Sequence, residues 1–357
     1  MRYRLSNFFA AKNYAANATE VIDLNMKDVI SNIIIKLDTV NVGDANTEHP
    51  MAILTKIELV DGSDVLFSLN GFEAEALDWY DQKGKFRPNW NWALTGMSMS
   101  RSLAINFGRY LWDKEYAFDP TRFKNPQLRI SIDPDAGGNA PSSVYVTCWA
   151  NLFEDAPGGL KGFFMSKEIK QYTMADGTHD YTDLPLDYPI RGLYIQPFLR
   201  GTESVLCIEK IKLSEDQDKR IVYDHDMTAI MAANAERYPE VEEAYIYPVT
   251  TSGAYLYIAP TNHVIGVGSL WAAASTALSV NCYDGDGGKL HVYGSANGNV
   301  QIRVRGDLPH AVLELPFGLK DDPADWYDVR GVGNLKLDIT GNSAAVTHLF
   351  LQQARGY

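Results

Sequence analysis

The chain has 357 residues, of which 46% are hydrophobic and 22% are charged, and its formal net charge is −13. This composition is typical of a globular protein and excludes extensive disorder, and the length predicts about two domains. Because an acidic surface repels phosphate backbones, we expect no direct nucleic-acid partner.

The cysteines and the hydropathy pattern indicate the compartment. Cys148, Cys207 and Cys282 are too far apart for the close pairs of zinc or redox motifs, so we interpret them as buried, reduced thiols. No apolar run approaches the roughly 18 residues of a membrane-spanning helix, and the N-terminus lacks the apolar block of a signal peptide. We expect a protein that is made and kept soluble in a cytoplasm.

Residues 1–18 are predicted to form an N-terminal arm. Basic residues flank Phe8 and Phe9, and no acidic residue precedes Glu20. Such a segment suits contact with an anionic membrane face or with a neighbouring subunit, and a frayed terminus is the alternative. The basic residues are Arg2, Arg4 and Lys12.

The first half of the chain is predicted to be rich in strands, because apolar and polar residues alternate and β-branched residues are frequent. Val60-Asp61-Gly62-Ser63 is typical of a hairpin turn between two strands. Short strands separated by turns indicate a β-sandwich. The predicted strands are 19–25, 32–40, 52–60, 65–70, 103–107, 127–133 and 143–153.

One helix interrupts these strands, over residues 71–80. Phe72 and Ala76 fall on one face of this helix, and Glu73 and Glu75 fall on other faces.

The order of motifs in the first half recurs in the second half. A helix also recurs at the same point, where Asp226 can cap residues 227–233. A duplicated unit of this length indicates two similar domains. The matched motifs are Lys12-Asn13-Tyr14 with Lys170-Gln171-Tyr172, Asp23-Leu24 with Asp183-Leu184, Ile33-Ile34-Ile35 with Leu193-Tyr194-Ile195, Lys56-Ile57-Glu58-Leu59 with Lys210-Ile211-Lys212-Leu213, Phe107-Gly108 with Phe317-Gly318, and Leu128-Arg129-Ile130-Ser131-Ile132-Asp133 with Leu335-Lys336-Leu337-Asp338-Ile339-Thr340.

The domain boundary is predicted at residues 154–159, where acidic residues, proline and glycine are concentrated. This gives a first domain over 19–155 and a second over 156–357. The offset between matched residues rises from 154 at Lys56 and Lys210 to 210 at Phe107 and Phe317, a gain of 56 residues. We expect this insertion around residues 240–305, as an outward protrusion.

Four glycine-containing motifs are interpreted as turns. Asp284 to Gly288 lacks the later ligands of a calcium loop, and Gly266-Val267-Gly268 and Gly331-Val332-Gly333 lack the rest of a nucleotide-binding fingerprint. Arg305-Gly306-Asp307 matches a cell-adhesion tripeptide, but a turn after a strand at 300–304 is the simpler interpretation.

The histidines suggest no chemistry. His225 lies between Asp224 and Asp226, but adjacent residues at a strand end point to different sides and no nucleophile motif stands out. The other histidines show no spacing typical of a metal site. We therefore expect no catalytic, cofactor-binding or metal-binding residue and no cofactor.

The aromatic cluster from Trp79 to Trp92 allows two interpretations. Trp79-Tyr80 and the run from Phe86 to Trp92 could form a stacking platform for sugar rings. Large aromatic residues also fill cores and subunit interfaces, and we favour that interpretation.

Together, these motifs resemble the double jelly-roll major capsid proteins of tailless icosahedral viruses, the often membrane-containing lineage that includes adenovirus. The features that carry the resemblance are two strand-rich domains, a helix after the hairpin strand of each, and a Phe-Gly that enters a long loop. Residues 165–172, followed by 183–185 and 189–195, are similar to the opening of the second barrel in bacteriophage members.

The resemblance implies an all-β fold of two consecutive eight-stranded jelly rolls, each with a short helix, and a structural protein without enzymatic activity. It also implies a pseudo-hexameric homotrimer in the virion capsid, assembled in the host cytoplasm. Its partners would be neighbouring capsomers, minor capsid or penton proteins, and an internal membrane contacted through arm 1–18. The alternatives are a carbohydrate-binding β-sandwich protein and a trimeric viral spike or receptor-binding protein.

Overall fold

The computed structural model describes residues 2–42, 48–136, 141, 143–270 and 279–357, and for Trp90 and Leu270 it describes the backbone alone. The elements of the first half are β1 (Tyr3–Tyr14), β2 (Ala18–Asp23), β3 (Val29–Val40), β4 (Leu54–Asp61), β5 (Asp64–Leu69), α1 (Gly71–Asp81), β6 (Trp90–Asn91), β7 (Ser98–Asn106), β8 (Pro126–Ile132) and β9 (Ser143–Phe153). Short 3-10 turns cover Pro50–Ile53 and Pro120–Arg122.

The second half contains more elements than the first. They are β10 (Gly162–Thr173), β11 (His179–Asp183), β12 (Ile190–Phe198), β13 (Ile208–Glu215), β14 (Arg220–Asp226), α2 (Met227–Ala235), β15 (Val241–Val249), β16 (Ala254–Tyr257), β17 (Pro260–Leu270), β18 (Val280–Asp284), β19 (Lys289–Gly294), β20 (Gly298–Pro309), β21 (Leu313–Leu315), β22 (Leu335–Gly341) and β23 (Val346–Gly356). Further 3-10 turns cover Ser204–Leu206 and Asp286–Gly288.

Each half forms a sandwich of two antiparallel strand layers. In the first half the layer β1-β9-β3-β7-β6 packs on β2-β8-β4-β5, and in the second half β10-β23-β12-β21 packs on β11-β22-β13-β14. Buried residues of both layers share one core in each sandwich. Apart from the two-residue strand β6, the two orders are equivalent and are those of an eight-stranded jelly roll. The prediction of two consecutive jelly rolls is confirmed.

The matched motifs of the sequence lie on equivalent strands of the two barrels. Ile33-Ile34-Ile35 lies in β3 and Leu193-Tyr194-Ile195 in β12, which are the third strands of their barrels. The other matches fall at the ends of β1 and β10 and of β2 and β11, within β4 and β13, after β7 and β21, and along β8 and β22. The helices α1 and α2 follow equivalent strands, β5 and β14. The repeat in the sequence is therefore a repeat in the fold.

One continuous sheet joins the two barrels. Strand β5 of the first barrel pairs in parallel with β10 of the second, with Phe67 opposite Ser166 and Ser68 opposite Lys167. The pairing gives an eight-stranded sheet in the order β2-β8-β4-β5-β10-β23-β12-β21. Backbone hydrogen bonds across this junction fix the two barrels relative to each other.

The strands β15 to β20, between α2 and β21, form a smaller sandwich of their own. Two three-stranded sheets, β15-β20-β17 and β16-β19-β18, enclose a core that includes Tyr247, Leu256 and Ile302. The first barrel contributes to this unit through the backbone NH of Ala93, which donates to the carbonyl of Ile246 at 2.8 Å. We call β15 to β20 the inserted sandwich.

Two of the four predicted turns are strands in the structure. Gly266 and Gly268 lie within β17, and Arg305-Gly306-Asp307 lies within β20. A Cβ atom at Gly268 would come within 2.4 Å of Val280 Cγ1, so this glycine allows the two sheets to approach closely. At Gly306 a Cβ atom would come within 2.5 Å of the carbonyl oxygen of Asn262. Close backbone approach, rather than a turn, explains these glycines.

The N-terminus also differs from the prediction. Most of the expected arm 1–18 is strand β1, which pairs with β9 along Tyr3–Tyr14. Only Tyr14 of this strand is fully buried, so its side chains give little alternation to recognise. Backbone pairing with β9 therefore holds the segment in place, and the first barrel begins close to residue 3.

The cysteines agree with the expectation in part. Cys148 and Cys207 are buried free thiols, as predicted, whereas Cys282 is half-buried at the edge of the inserted sandwich. Among the described residues, no helix is both long and apolar enough to cross a membrane.

We predict that Gly71→Ala destabilises the protein. The added Cβ atom would lie 2.1 Å from the carbonyl oxygen of Met51 and 3.0 Å from that of Leu54. Overpacking of this kind costs about 1–3 kcal/mol, which exceeds the gain of alanine in helix propensity at the first helical position. Denaturant titration should show a lower free energy of unfolding.

The matched control is Gly158→Ala, in the link between the barrels, where an added Cβ meets no atom within 4 Å. This control should stay within about 0.5 kcal/mol of the unmodified chain. Equal stabilities of the two variants would contradict the packing argument.

Candidate functional site: a buried acidic helix at the barrel junction

Helix α1 begins with a reciprocal cap. The side chain of Asn70 accepts a hydrogen bond from the backbone NH of Glu73 at 2.9 Å, and a Glu73 carboxylate oxygen accepts one from the backbone NH of Asn70 at 2.8 Å. This capping box starts the helix directly after β5. The helix therefore lies at the edge of the first barrel, next to the second barrel and the inserted sandwich.

Every face of α1 is covered, and this differs from the amphipathic helix that the sequence predicts. The faces of Glu73 and Glu75 are buried together with the apolar face. The side chains of Glu73, Glu75, Asp78 and Asp81 are all at most 4% exposed. Since a buried charge without a partner costs several kcal/mol, each carboxylate requires a partner from the surrounding elements.

Glu75 connects α1 to the inserted sandwich. Arg101 of β7 lies 2.7 Å from Glu75 and also pairs with Glu243 of β15. Burial would raise the pKa of both carboxyl groups, but the Arg101 charge holds each pKa below its usual value. His310, which follows β20, contacts the other oxygen of Glu75 at 2.7 Å.

His49 also belongs to this cluster, and its ring centroid lies 4.7 Å from that of His310. Its Nδ1 accepts a hydrogen bond from the backbone NH of Met51 at 3.3 Å, and its Nε2 lies 3.7 Å from Glu243. Burial and the nearby Arg101 charge lower the pKa of His49 to about 4. The imidazole is therefore neutral at neutral pH, and Arg101 supplies the cation between the two carboxylates.

Asp78 is held within the first barrel. Arg87 donates to both oxygens of its carboxylate, at 2.6 and 3.0 Å. Asn106 and the backbone NH of Ala104 donate to it as well. Burial nevertheless raises the pKa of Asp78. These contacts fix α1 on β7.

Asp81 connects the end of α1 to the second barrel. Arg191 of β12 lies 2.6 Å from one Asp81 oxygen, and Lys320 lies 3.2 Å from the same oxygen. Gln352 of β23 donates to the other oxygen at 3.1 Å. Burial would raise the pKa of Asp81, but the charges of Arg191 and Lys320 hold this pKa below its usual value.

Glu73 connects the start of α1 to the second barrel. His348 of β23 places Nδ1 3.2 Å from Glu73 Oε1 and 2.8 Å from Glu168 Oε2 on β10. Burial raises the pKa of Glu73. Although burial would lower the pKa of His348, contacts with the two carboxylates raise it to about 9.

The four carboxylates thus tie α1 to both barrels and to the inserted sandwich, which suits a structural role. Sequence reasoning missed the partners, because Arg101, Arg191 and His348 lie far along the chain from the helix. The available signal was four acidic residues at positions 73, 75, 78 and 81 of a helix rich in apolar residues.

The first two residues of the aromatic cluster, Trp79 and Tyr80, belong to the core. Trp79 and Tyr80 are each 3% exposed, and Trp79 contacts Tyr80, Phe86 and Tyr238. Trp92 is half-buried, and the side chain of Trp90 lies outside the described part of the structure. Trp79 and Tyr80 therefore cannot stack on a sugar ring.

The other motifs that the sequence analysis considered lie apart from the helix. His225 is exposed near the end of β14, and neighbouring Asp226 caps α2 by accepting from the backbone NH of Ala229 at 2.7 Å. Residues 285–288 form the turn that follows Asp284, the last residue of β18, and residues 331–333 lie between β21 and β22, both as predicted.

Comparison with known proteins identifies the fold. No family model and no curated protein matches the sequence. Among solved structures, the MCP of STIV (Sulfolobus Turreted Icosahedral Virus) is 12% identical with a TM-score of 0.62, covering 99% of this chain and 97% of that chain. The major capsid protein P2 from Bacteriophage PM2 is 11% identical with a TM-score of 0.58, covering 100% of both chains.

A chain of the PBCV-1 virus capsid also matches, at 10% identity and a TM-score of 0.52, with 99% of this chain and 95% of that chain covered. At such identities the likeness establishes the fold alone. The chain shares the double jelly-roll fold of these capsid proteins along its whole length.

We predict that Arg191→Met destabilises the barrel junction. Removal of the guanidinium leaves Asp81 buried with Lys320 as its remaining cation, whereas the methionine side chain keeps much of the apolar contact with Phe164. Breaking a buried pair from one side costs about 3–5 kcal/mol. Denaturant titration should show a loss of this size.

The control for this experiment is Arg330→Met, which breaks a pair with Asp328 of similar length on the surface, where Arg330 is 87% exposed. Because solvent screens such pairs, this variant should unfold like the unmodified chain. Similar losses in the two variants would show that burial of the Arg191 pair is irrelevant.

We predict that His49 makes stability depend on pH between about 6.5 and 4. The folded-state pKa is about 4, whereas an unfolded histidine has a pKa of about 6.5. The unfolded state therefore binds a proton first, and the contribution of His49 is fully present above pH 6.5 and is lost as the pH falls through 4. The total loss is on the order of 3 kcal/mol.

The variant His49→Asn keeps an acceptor for the backbone NH of Met51 and removes the imidazole. Its free energy of unfolding should fall less steeply from pH 6.5 to 4 than that of the unmodified chain, whereas the exposed control His225→Asn should keep the original slope. An unchanged slope in His49→Asn would contradict the prediction.

Proposed function

We propose that this protein is a structural subunit of an icosahedral viral shell and assembles as a homotrimer of pseudo-hexameric outline. The observation that supports this most directly is the duplicated jelly roll whose two copies share one sheet. Solved capsid proteins with the same fold match the chain from end to end. The double jelly-roll fold is sufficient for the role of a shell subunit, so no catalytic group is required.

Symmetry links this fold to a hexagonal outline. One chain carries two similar barrels, so a ring of three chains presents six. Three copies related by a closed threefold axis use head-to-tail contacts between unlike surfaces of each chain. The continuous sheet across β5 and β10 holds the two barrels of a chain at a fixed angle, which keeps the six-barrel ring regular.

The surface suits an assembly protein. The edge strand β1 exposes Tyr3 and Leu5, and β17 exposes Ile265 and Val267. We assign these side chains to contacts with neighbouring subunits, in place of the membrane contact expected for a free arm, because the strand is held in its sheet. The net charge of −13 keeps unassembled subunits soluble.

We further propose that the protein resides in the virion and is assembled in the host cytoplasm, where the free thiols remain reduced. Neighbouring capsomers are its main partners, and minor capsid or penton proteins contact the assembled shell. We also propose that residues up to 155 and residues 156–357 act as two units, with the inserted sandwich part of the second.

Size-exclusion chromatography with light scattering tests the oligomeric state. We expect a particle of three times the chain mass of 39.8 kDa at micromolar concentrations and near-physiological salt. Negative-stain microscopy of the same peak should show particles with a hexagonal outline. A monomer at all concentrations, or a particle without threefold symmetry, would contradict the proposed shell subunit.

A further inference from the structure

Three side chains from different elements converge at the junction of the two barrels. They are Glu73 of α1, Glu168 of β10 and His348 of β23, and their donor atoms all lie within 4.8 Å of one another. His348 Nδ1 lies 2.8 Å from Glu168 Oε2 and 3.2 Å from Glu73 Oε1. Tetrahedral ligands bound to one zinc ion at about 2.0–2.2 Å lie about 3.3–3.6 Å apart, and the two His348 separations approach these values.

We propose that Glu73, Glu168 and His348 bind a divalent transition-metal ion, such as zinc, that bridges the two barrels. One imidazole and two carboxylates are ligands that zinc accepts, and water can complete the coordination. The ion would connect α1 of the first barrel with two strands of the second.

The buried oxygen of Glu73 is the second observation that indicates a ligand. Glu73 is 0% exposed, and its Oε1, which lies 3.2 Å from His348 Nδ1, accepts no well-aligned hydrogen bond from any described residue. The other oxygen is held by the backbone NH of Asn70 at 2.8 Å. A carboxylate with one oxygen fixed by a backbone NH and the other facing a histidine without a well-aligned hydrogen bond resembles a metal ligand that is oriented by an outer partner.

The local backbone of β10 directs the carboxylate of Glu168 toward Glu73 and His348. The pairing of β10 with β23 shifts register between Glu168 and Lys170. Bulges of this kind change the direction of side chains on a strand. The site is reached from solvent, because Glu168 is 31% and His348 15% exposed.

Charge balance favours a divalent ion over a proton. A protonated His348 compensates one of the two carboxylates, and one negative charge remains in a largely buried site. A divalent ion with a neutral imidazole balances both carboxylates, and the proton from Nδ1 passes to solvent.

The nearby charges do not occupy the site. Lys56 of β4 acts on Glu168 at longer range, but it is 54% exposed and forms an ion pair with Glu58 at 3.1 Å. The neighbouring cluster around Glu75 differs in this respect, because Arg101 already lies between its carboxylates.

Zinc titration of the full chain, purified and treated with chelator, tests the proposal by calorimetry at pH 7.5. We expect one zinc ion per chain, and a higher midpoint of thermal unfolding with zinc than with chelator. Glu168→Gln and His348→Gln should each weaken binding at least about tenfold. The control His225→Gln alters an exposed histidine and should bind like the unmodified chain.

Glu168 is the most exposed of the three residues, so Glu168→Gln should fold normally, and near-UV circular dichroism checks this. Extended X-ray absorption fine structure at the zinc edge should show only nitrogen and oxygen neighbours, at about 2.0–2.2 Å. Failure of the unmodified chain to bind zinc, or equal binding by Glu168→Gln and His348→Gln, would overturn the proposal. Neither result depends on the oligomeric state.

Discussion

The structure depends on the burial of four carboxylates on one short helix. Glu73, Glu75, Asp78 and Asp81 leave water only because each meets donors from another element, among them β7, β12 and β23, and Arg101 of β7 also pairs with Glu243 of β15. None of these carboxylates is stable in the interior until its partner is in place. The first barrel, the second barrel and the inserted sandwich all contribute to the network around α1, which makes the helix the common support of all three.

Helix α2 occupies the equivalent position in the second barrel, and it shows how a helix without buried carboxylates differs from α1. Helix α2 also follows the fifth strand of its barrel, β14, but it buries one face through residues such as Met227 and Ile230 and exposes the rest. It carries no acidic residue between Met227 and Ala235. Helix α1 is covered because a second barrel and an insertion follow it in the chain. The two barrels therefore place equivalent helices in different environments, and only the fully covered helix α1 carries acidic residues.

The elements that could be predicted are those with a buried face, because burial imposes a regular pattern of apolar residues on their sequence. Strands such as β3 and β8 alternate or run apolar, and their copies β12 and β22 repeat the pattern, so fold class and duplication were readable. Strand β1 was missed because its side chains are mostly exposed and backbone pairing holds it. The partners of α1 were missed for a different reason: pairs such as Asp81 with Arg191 exist only in three dimensions, and no local spacing encodes them.

Edge strands explain why a covalent duplication suits the shell subunit proposed above. The parallel pairing of β5 with β10 removes one free edge from each barrel, and two other edges are the very short strands β6 and β21. Longer edges of the barrel sheets remain at β1, β2, β11 and β14, where unpaired backbone groups invite contact with another chain. Fusion of the barrels therefore restricts where neighbours can pair. A shell of many copies needs this restriction, because every subunit must join its neighbours through the same few surfaces and no others.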